Sequence, residues 1–68
     1  MTFDEKERHI SNIAWCIEDG ASGYVTDNFK IENLPTPQRA GTMTQQATYA
    51  KVTARRIFEE FLSKNPQL

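Results

Sequence analysis

The chain has 68 residues, 38% of them hydrophobic, and its 8 Lys and Arg nearly balance 9 Asp and Glu, for a net charge of -1. This length allows one small domain, residues 1–68. A single cysteine excludes an intrachain disulfide. The longest apolar run, residues 13–17, is far shorter than the roughly 20 residues of a membrane span. The charged residues that follow Met1 predict no secretory signal, and hence a cytoplasmic protein.

The first predicted element is an amphipathic helix over residues 3–19. Thr2 and Glu5 have the spacing of a capping box at its start. Gly20 is typical of the left-handed residue that ends a helix. Apolar residues recur at helical spacing on one face, which we expect to lie in the core. That predicted face consists of Phe3, Ile10, Ile13, Ala14 and Ile17.

The segment from residue 20 to residue 41 contains all three glycines and two of the three prolines. Within it, two β-prone triplets, 24–26 and 29–31, flank Asp27 and Asn28. Two interpretations are open here: a short β-hairpin, or a single helical turn after Asp27. The prolines of residues 35–39 favour a stiff, extended connector. The other interpretation of that stretch is a short peptide ligand for an aromatic groove.

The second predicted helix covers residues 43–64. Thr42 and Gln45 match a second capping box, and Pro66 ends the element. The side chains of its predicted core face are small in the first half and bulky in the second half. We therefore expect the isoleucines of the first helix to pack against the alanines. The residues of this face are Met43, Ala47, Ala50, Ala54, Ile57, Phe58 and Phe61.

These patterns predict a mainly α fold, in which two amphipathic helices pack antiparallel and an irregular or short-hairpin connector joins them. Leu, Ile, Val and Phe together number 14 of 68 residues. At this chain length, apolar burial roughly cancels the conformational entropy lost on folding. A core this small needs additional stabilisation, and the composition leaves self-association as its source. We therefore expect a homodimer that forms a helical bundle.

Trp15 is the residue of most functional interest, because it points roughly 145° away from the centre of the apolar face of its helix. Arg8 lies on the same polar side. Trp and Arg together are typical of binding hot spots. Two interpretations are open: the connector folds over Trp15, or Trp15 and Arg8 contact a partner protein.

A second outward row on the other helix consists of Tyr49, Val52 and Arg56. Tyr and Arg are enriched at interfaces. Single exposed apolar residues are also normal on protein surfaces. Contact with a partner or a second subunit and ordinary surface scatter are therefore both open for this row.

A modest basic patch consists of Arg39, Lys51, Arg55 and Arg56, which are candidates for phosphate contact. The net charge of -1 argues against a nucleic-acid-binding role. A solvated face, with Arg55 paired to Glu59 and Arg56 to Glu60, is the alternative interpretation.

The only histidine and the only cysteine, His9 and Cys16, lie about 10 Å apart along the first helix. This separation is too long for a catalytic dyad, and no further residues complete a zinc site. We therefore expect no enzyme activity and no cofactor. The prediction is a protein-binding regulator or inhibitor that docks on a larger protein or complex, of the size common among phage and mobile-element accessory proteins, including anti-defence inhibitors. The alternative is a small nucleic-acid-binding transcriptional regulator.

Overall fold

A computed structural model describes residues 1–67. The chain forms a helix, a two-stranded sheet and a longer helix, so the predicted mainly helical fold is confirmed. Neither helix in the described part of the chain is both long and apolar enough to cross a lipid bilayer. In chain order, the elements are α1 (Phe3–Glu18), β1 (Gly23–Val25), β2 (Lys30–Glu32) and α2 (Met43–Lys64).

The cap residues set the bounds of α1. The hydroxyl of Thr2 accepts a hydrogen bond from the backbone N–H of Glu5 at 3.2 Å, and it donates to the Glu5 carboxylate at 2.9 Å. At the other end, Asp19 caps the helix and Gly20 adopts a φ of 78°, in the left-handed region that glycine favours. The helix ends one residue before the predicted bound.

The connector forms the β-hairpin, which is one of the two structures expected for it. Tyr24 of β1 pairs with Ile31 of β2 in the antiparallel register, and both side chains are buried. The hydroxyl of Thr26 accepts hydrogen bonds from the backbone N–H groups of Asn28 and Phe29, each at 3.2 Å. This hydroxyl therefore closes the turn that the sequence placed at residues 27 and 28.

Helix α2 has the predicted bounds. Thr42 and Gln45 form the complete capping box: the Thr42 hydroxyl accepts from the Gln45 N–H at 3.1 Å, and the Gln45 side chain accepts from the Thr42 N–H at 2.9 Å. At the far end, the side chain of Asn65 donates to the carbonyl of Phe61 at 2.8 Å. Both ends of α2 thus satisfy backbone groups that a helix leaves free.

The core lies between α1, α2 and the hairpin. Ala50 and Ala54 are buried in one cluster with the three isoleucines of α1, as the small half of the α2 face predicted. The full set of buried residues is Ile10, Ile13, Ala14, Ile17, Tyr24, Ile31, Ala50, Ala54 and Phe58.

Three residues predicted to lie in the core are exposed. Phe3 is 74% exposed and Met43 85% exposed, and Ala47 is exposed as well. Each lies near the beginning of its helix, before the first buried residue of that helix, Ile10 in α1 and Ala50 in α2. The periodicity gave the direction in which these side chains point. The apolar face of each helix is longer than the part that packs in the core, so these three residues are left in solvent.

Candidate protein-binding surface

Trp15 lies on the side of α1 opposite the buried isoleucines and is 66% exposed. The hairpin packs against a different side of the helix, where the Nδ1 atom of His9 hydrogen-bonds to the hydroxyl of Tyr24 at 2.8 Å. The interpretation in which the connector covers Trp15 is therefore wrong for the folded chain. Arg8, two turns earlier, is exposed on the same side as Trp15.

The α2 row consists of Tyr49, Val52 and Arg56, and all three side chains are exposed. Tyr49 is 38% exposed and Val52 45% exposed. The buried residues Ala50 and Ala54 point to the other side of the helix, so the α2 row faces away from the core. The structure thus leaves an apolar and basic row on each helix without cover from the hairpin.

Three polar contacts join α1 to α2 and together form what we call the polar seam. Lys6 pairs with Glu59 at 3.1 Å, and the Lys51 amine donates to the Ser11 hydroxyl at 3.3 Å. Between them, the Arg55 guanidinium makes a two-pronged contact with the Glu7 carboxylate, at 2.6 and 2.8 Å. The seam runs between Trp15 and the α2 row, because Ser11 lies one turn before Trp15 and Lys51 directly precedes Val52.

The ion pair at the centre of the polar seam changes the acidity of both partners. The hydrogen bond from Arg55 lowers the pKa of Glu7 below its ordinary value. The same bond raises the pKa of Arg55. Both groups are therefore charged over a wide pH range, and the pair is a fixed, largely neutralised element of the surface.

The basic patch proposed for nucleic acid is partly engaged in the fold. Arg55 binds Glu7, and Lys51 donates to Ser11. The expected pairs within α2 are absent among the described contacts, since Glu59 pairs with Lys6 and Glu60 with Lys64.

The other two members of the patch, Arg39 and Arg56, are exposed. Neither takes part in an ion pair within residues 1–67. Arg39 belongs to the connector, where its carbonyl accepts a hydrogen bond from the Gln46 side chain at 3.0 Å. The four cations therefore do not form one free basic face.

His9 has a structural role that the sequence did not reveal. Its ring lies 5.1 Å from that of Phe29, 5.5 Å from that of Phe58 and 6.1 Å from that of Tyr24, between centroids. It therefore joins the hairpin to both helices. The available signal was its position at the edge of the apolar face of α1, four residues before Ile13, but only the fold shows which rings meet there.

A concavity of 530 Å³ opens beside His9 at the start of α1. Its lining residues are Met1, Thr2, Glu5, His9, Asn28 and Phe29. Two of its polar groups are occupied, since Glu5 bonds to Thr2 and His9 to Tyr24. Cys16 is a partly buried free thiol. Within residues 1–67, no three His, Cys, Asp or Glu side chains lie close enough together to hold a metal ion.

Comparisons of this chain with protein-family models, with curated proteins and with solved structures find no match.

Proposed function

We propose that this chain is a cytoplasmic, non-enzymatic regulator or inhibitor that docks as a homodimer on a larger protein or complex. One observation carries the proposal: large apolar side chains stay exposed on both helices, on sides that the hairpin does not cover. Trp15 is 66% exposed and Val52 45% exposed. Arg56 lies one turn after Val52, and Arg8 lies two turns before Trp15 on the same side of its helix. Aromatic side chains and arginine are the residues that dominate protein–protein binding energy.

We propose an antiparallel pair of helices as the scaffold of this surface. The order of the contacts in the polar seam supports it: Lys6 contacts Glu59, Glu7 contacts Arg55, and Ser11 contacts Lys51. The partner number in α2 falls as the number in α1 rises. Two such pairs, one from each copy, would make the four-helix arrangement expected from the sequence.

The size of the chain agrees with a role as an accessory protein. Phage and mobile-element accessory proteins, including anti-defence inhibitors, are often of this size, and this is the class we propose. A chain of this kind functions by covering a surface of its target, because it has little room for both a substrate cleft and a core.

Crosslinking in cells of the native source tests the proposal. A photoreactive amino acid replaces Thr48, which lies between Tyr49 and the polar seam around the axis of α2. We expect one larger protein to be crosslinked repeatedly. A Val52→Ala substitution should lower the yield at least about fivefold, since an anchoring contact is lost.

Val25→Ala is the matched control, because Val25 is 67% exposed but lies on the hairpin. Its crosslinking yield should equal that of the parent chain. Equal losses in both variants, or no specific protein product, would refute a docking role for the α2 row. Recovery of DNA or RNA, with an affinity that falls steeply as salt rises, would favour the nucleic-acid alternative instead.

A further inference from the structure

A stripe of four exposed residues runs along the outward side of α1. Arg8, Asn12, Trp15 and Asp19 follow one another at steps of four, three and four, which keeps them within roughly 60° around the helix axis. The stripe lies opposite the buried isoleucines, so neither α2 nor the hairpin covers it. We call these four residues the α1 stripe.

The α1 stripe is complementary to itself. Arg8 and Asp19 are equally far from the midpoint of the stripe, and so are Asn12 and Trp15. We propose that a second copy of the chain binds here, with the two α1 helices antiparallel about a two-fold axis. Arg8 then faces Asp19 of the second copy, and Trp15 faces Asn12 of the second copy. The pairing depends on the proposed homodimer but not on the proposed larger partner.

Charge selects the second copy and the antiparallel direction. Among residues 1–67, no ion pair engages Arg8 or Asp19. Asp19 caps the C-terminal end of α1, where the helix dipole disfavours an acid. Arg8 of the second copy removes this conflict. A parallel arrangement would instead place the two Arg8 side chains together, and likewise the two Asp19 side chains.

Trp15 provides the apolar area of this contact. Exposed ion pairs contribute little affinity, so the charges fix the register while the two indole rings lose their water. The amide of Asn12 lies at the same level and can bond to the indole N–H. The pairing therefore assigns a role to each of the four residues in the stripe.

The pairing also divides the surface between two partners. Arg8 and Trp15 contact the second copy, while the α2 row on each protomer stays open to the larger target. A dimer then presents two α2 rows, so that a target with two sites would bind it more tightly than it binds one protomer.

Sedimentation equilibrium on the purified chain tests the pairing. We expect a reversible dimer, and an emission maximum of Trp15, the single tryptophan, that shifts to the blue as concentration rises. Arg8→Glu and Asp19→Arg should each weaken the dimer about tenfold, because two attractive pairs become repulsive. The double variant should restore it. Arg39→Glu, with the same change in charge but in the connector, should leave the dimer unchanged.

Far-UV circular dichroism of each variant shows that the fold is kept, which is expected because both residues are exposed. If neither single substitution weakens the dimer, or if the double variant stays dissociated, the proposed α1 pairing is wrong. The parent chain would still be a homodimer, but through another surface. A chain that stays monomeric at every concentration overturns both.

Discussion

The guanidinium of Arg55 in α2 donates two hydrogen bonds to the carboxylate of Glu7 in α1, with nitrogen–oxygen distances of 2.6 and 2.8 Å. The two residues are 48 positions apart in the chain. This contact is the central one of the polar seam and the one with the best geometry. It ties the second turn of α1 to the middle of α2 on the side of the molecule that the hairpin leaves open.

Glu7→Gln should lower stability at neutral pH, and the loss should disappear in acid. The Arg55 bond lowers the folded-state pKa of Glu7 from its ordinary value of 4.5. The stabilisation is therefore complete above the pKa of the unfolded chain, and it is lost as pH falls through the folded pKa. Urea unfolding of both proteins from neutral to strongly acidic pH measures this difference.

Glu32→Gln is the control for this prediction, since Glu32 forms an exposed pair with Lys30. Its effect should be smaller at every pH, because solvent-exposed pairs contribute little. A Glu7→Gln difference that persists undiminished in strong acid would contradict the assignment to the ion pair.

Ala54→Leu should destabilise the protein by about 1–3 kcal/mol, because Ala54 is fully buried where α1 approaches α2. Ala47→Leu should change stability by no more than about 0.5 kcal/mol, since Ala47 is exposed two turns earlier on the same helix. Thermal unfolding of the two variants checks the difference. Equal losses would mean that Ala47 also lies against the core.

Phe58→Ala should unfold most of the protein. Phe58 is fully buried, and truncation of a buried Phe costs about 3–5 kcal/mol, which is as much as a core of this size supplies. Phe3→Ala should leave the helical content unchanged, because Phe3 is 74% exposed. The ellipticity at the helical minimum, measured by circular dichroism, distinguishes the two variants. A Phe58→Ala protein that stays folded would contradict the view that one small core stabilises the chain.

Thr26→Val should cost about 1 kcal/mol, because it removes the hydroxyl that accepts from the N–H groups of Asn28 and Phe29. Thr26→Ser keeps that hydroxyl and should retain most of the stability. Denaturant unfolding of the pair measures the contribution of the turn. If serine behaves like valine, the hydroxyl is not what holds the hairpin.

The helix bounds were predictable because their signals are local. Thr42 and Gln45 lie three residues apart and make their predicted bonds, and Gly20 ends α1 as expected. The ring cluster of His9 and the pair between Glu7 and Arg55 were not predictable, because each joins residues far apart in the sequence. No local pattern encodes which distant side chains meet.

The candidate surface was also predictable only in part. Periodicity placed Trp15 opposite the core correctly, but it did not show where the connector lies. It also placed Met43 in the core, where the structure leaves it 85% exposed. The spacing of apolar residues gives the direction in which a side chain points from its helix. Whether that side chain is buried depends on how far the neighbouring elements extend.

The first two turns of α2 project beyond the packed region, since the buried residues of this helix begin at Ala50. The capping box of Thr42 and Gln45 holds the start of this overhang, together with hydrogen bonds from the Gln46 side chain to the carbonyls of Arg39 and Gly41. Amide protons there should exchange with deuterium rapidly, through local fraying of the helix. Amide protons around Ala54 and Phe58 should exchange slowly, because their exchange requires global unfolding. One continuous helix therefore contains two stability regimes, and binding of a target on Tyr49 would slow exchange first in the weaker one.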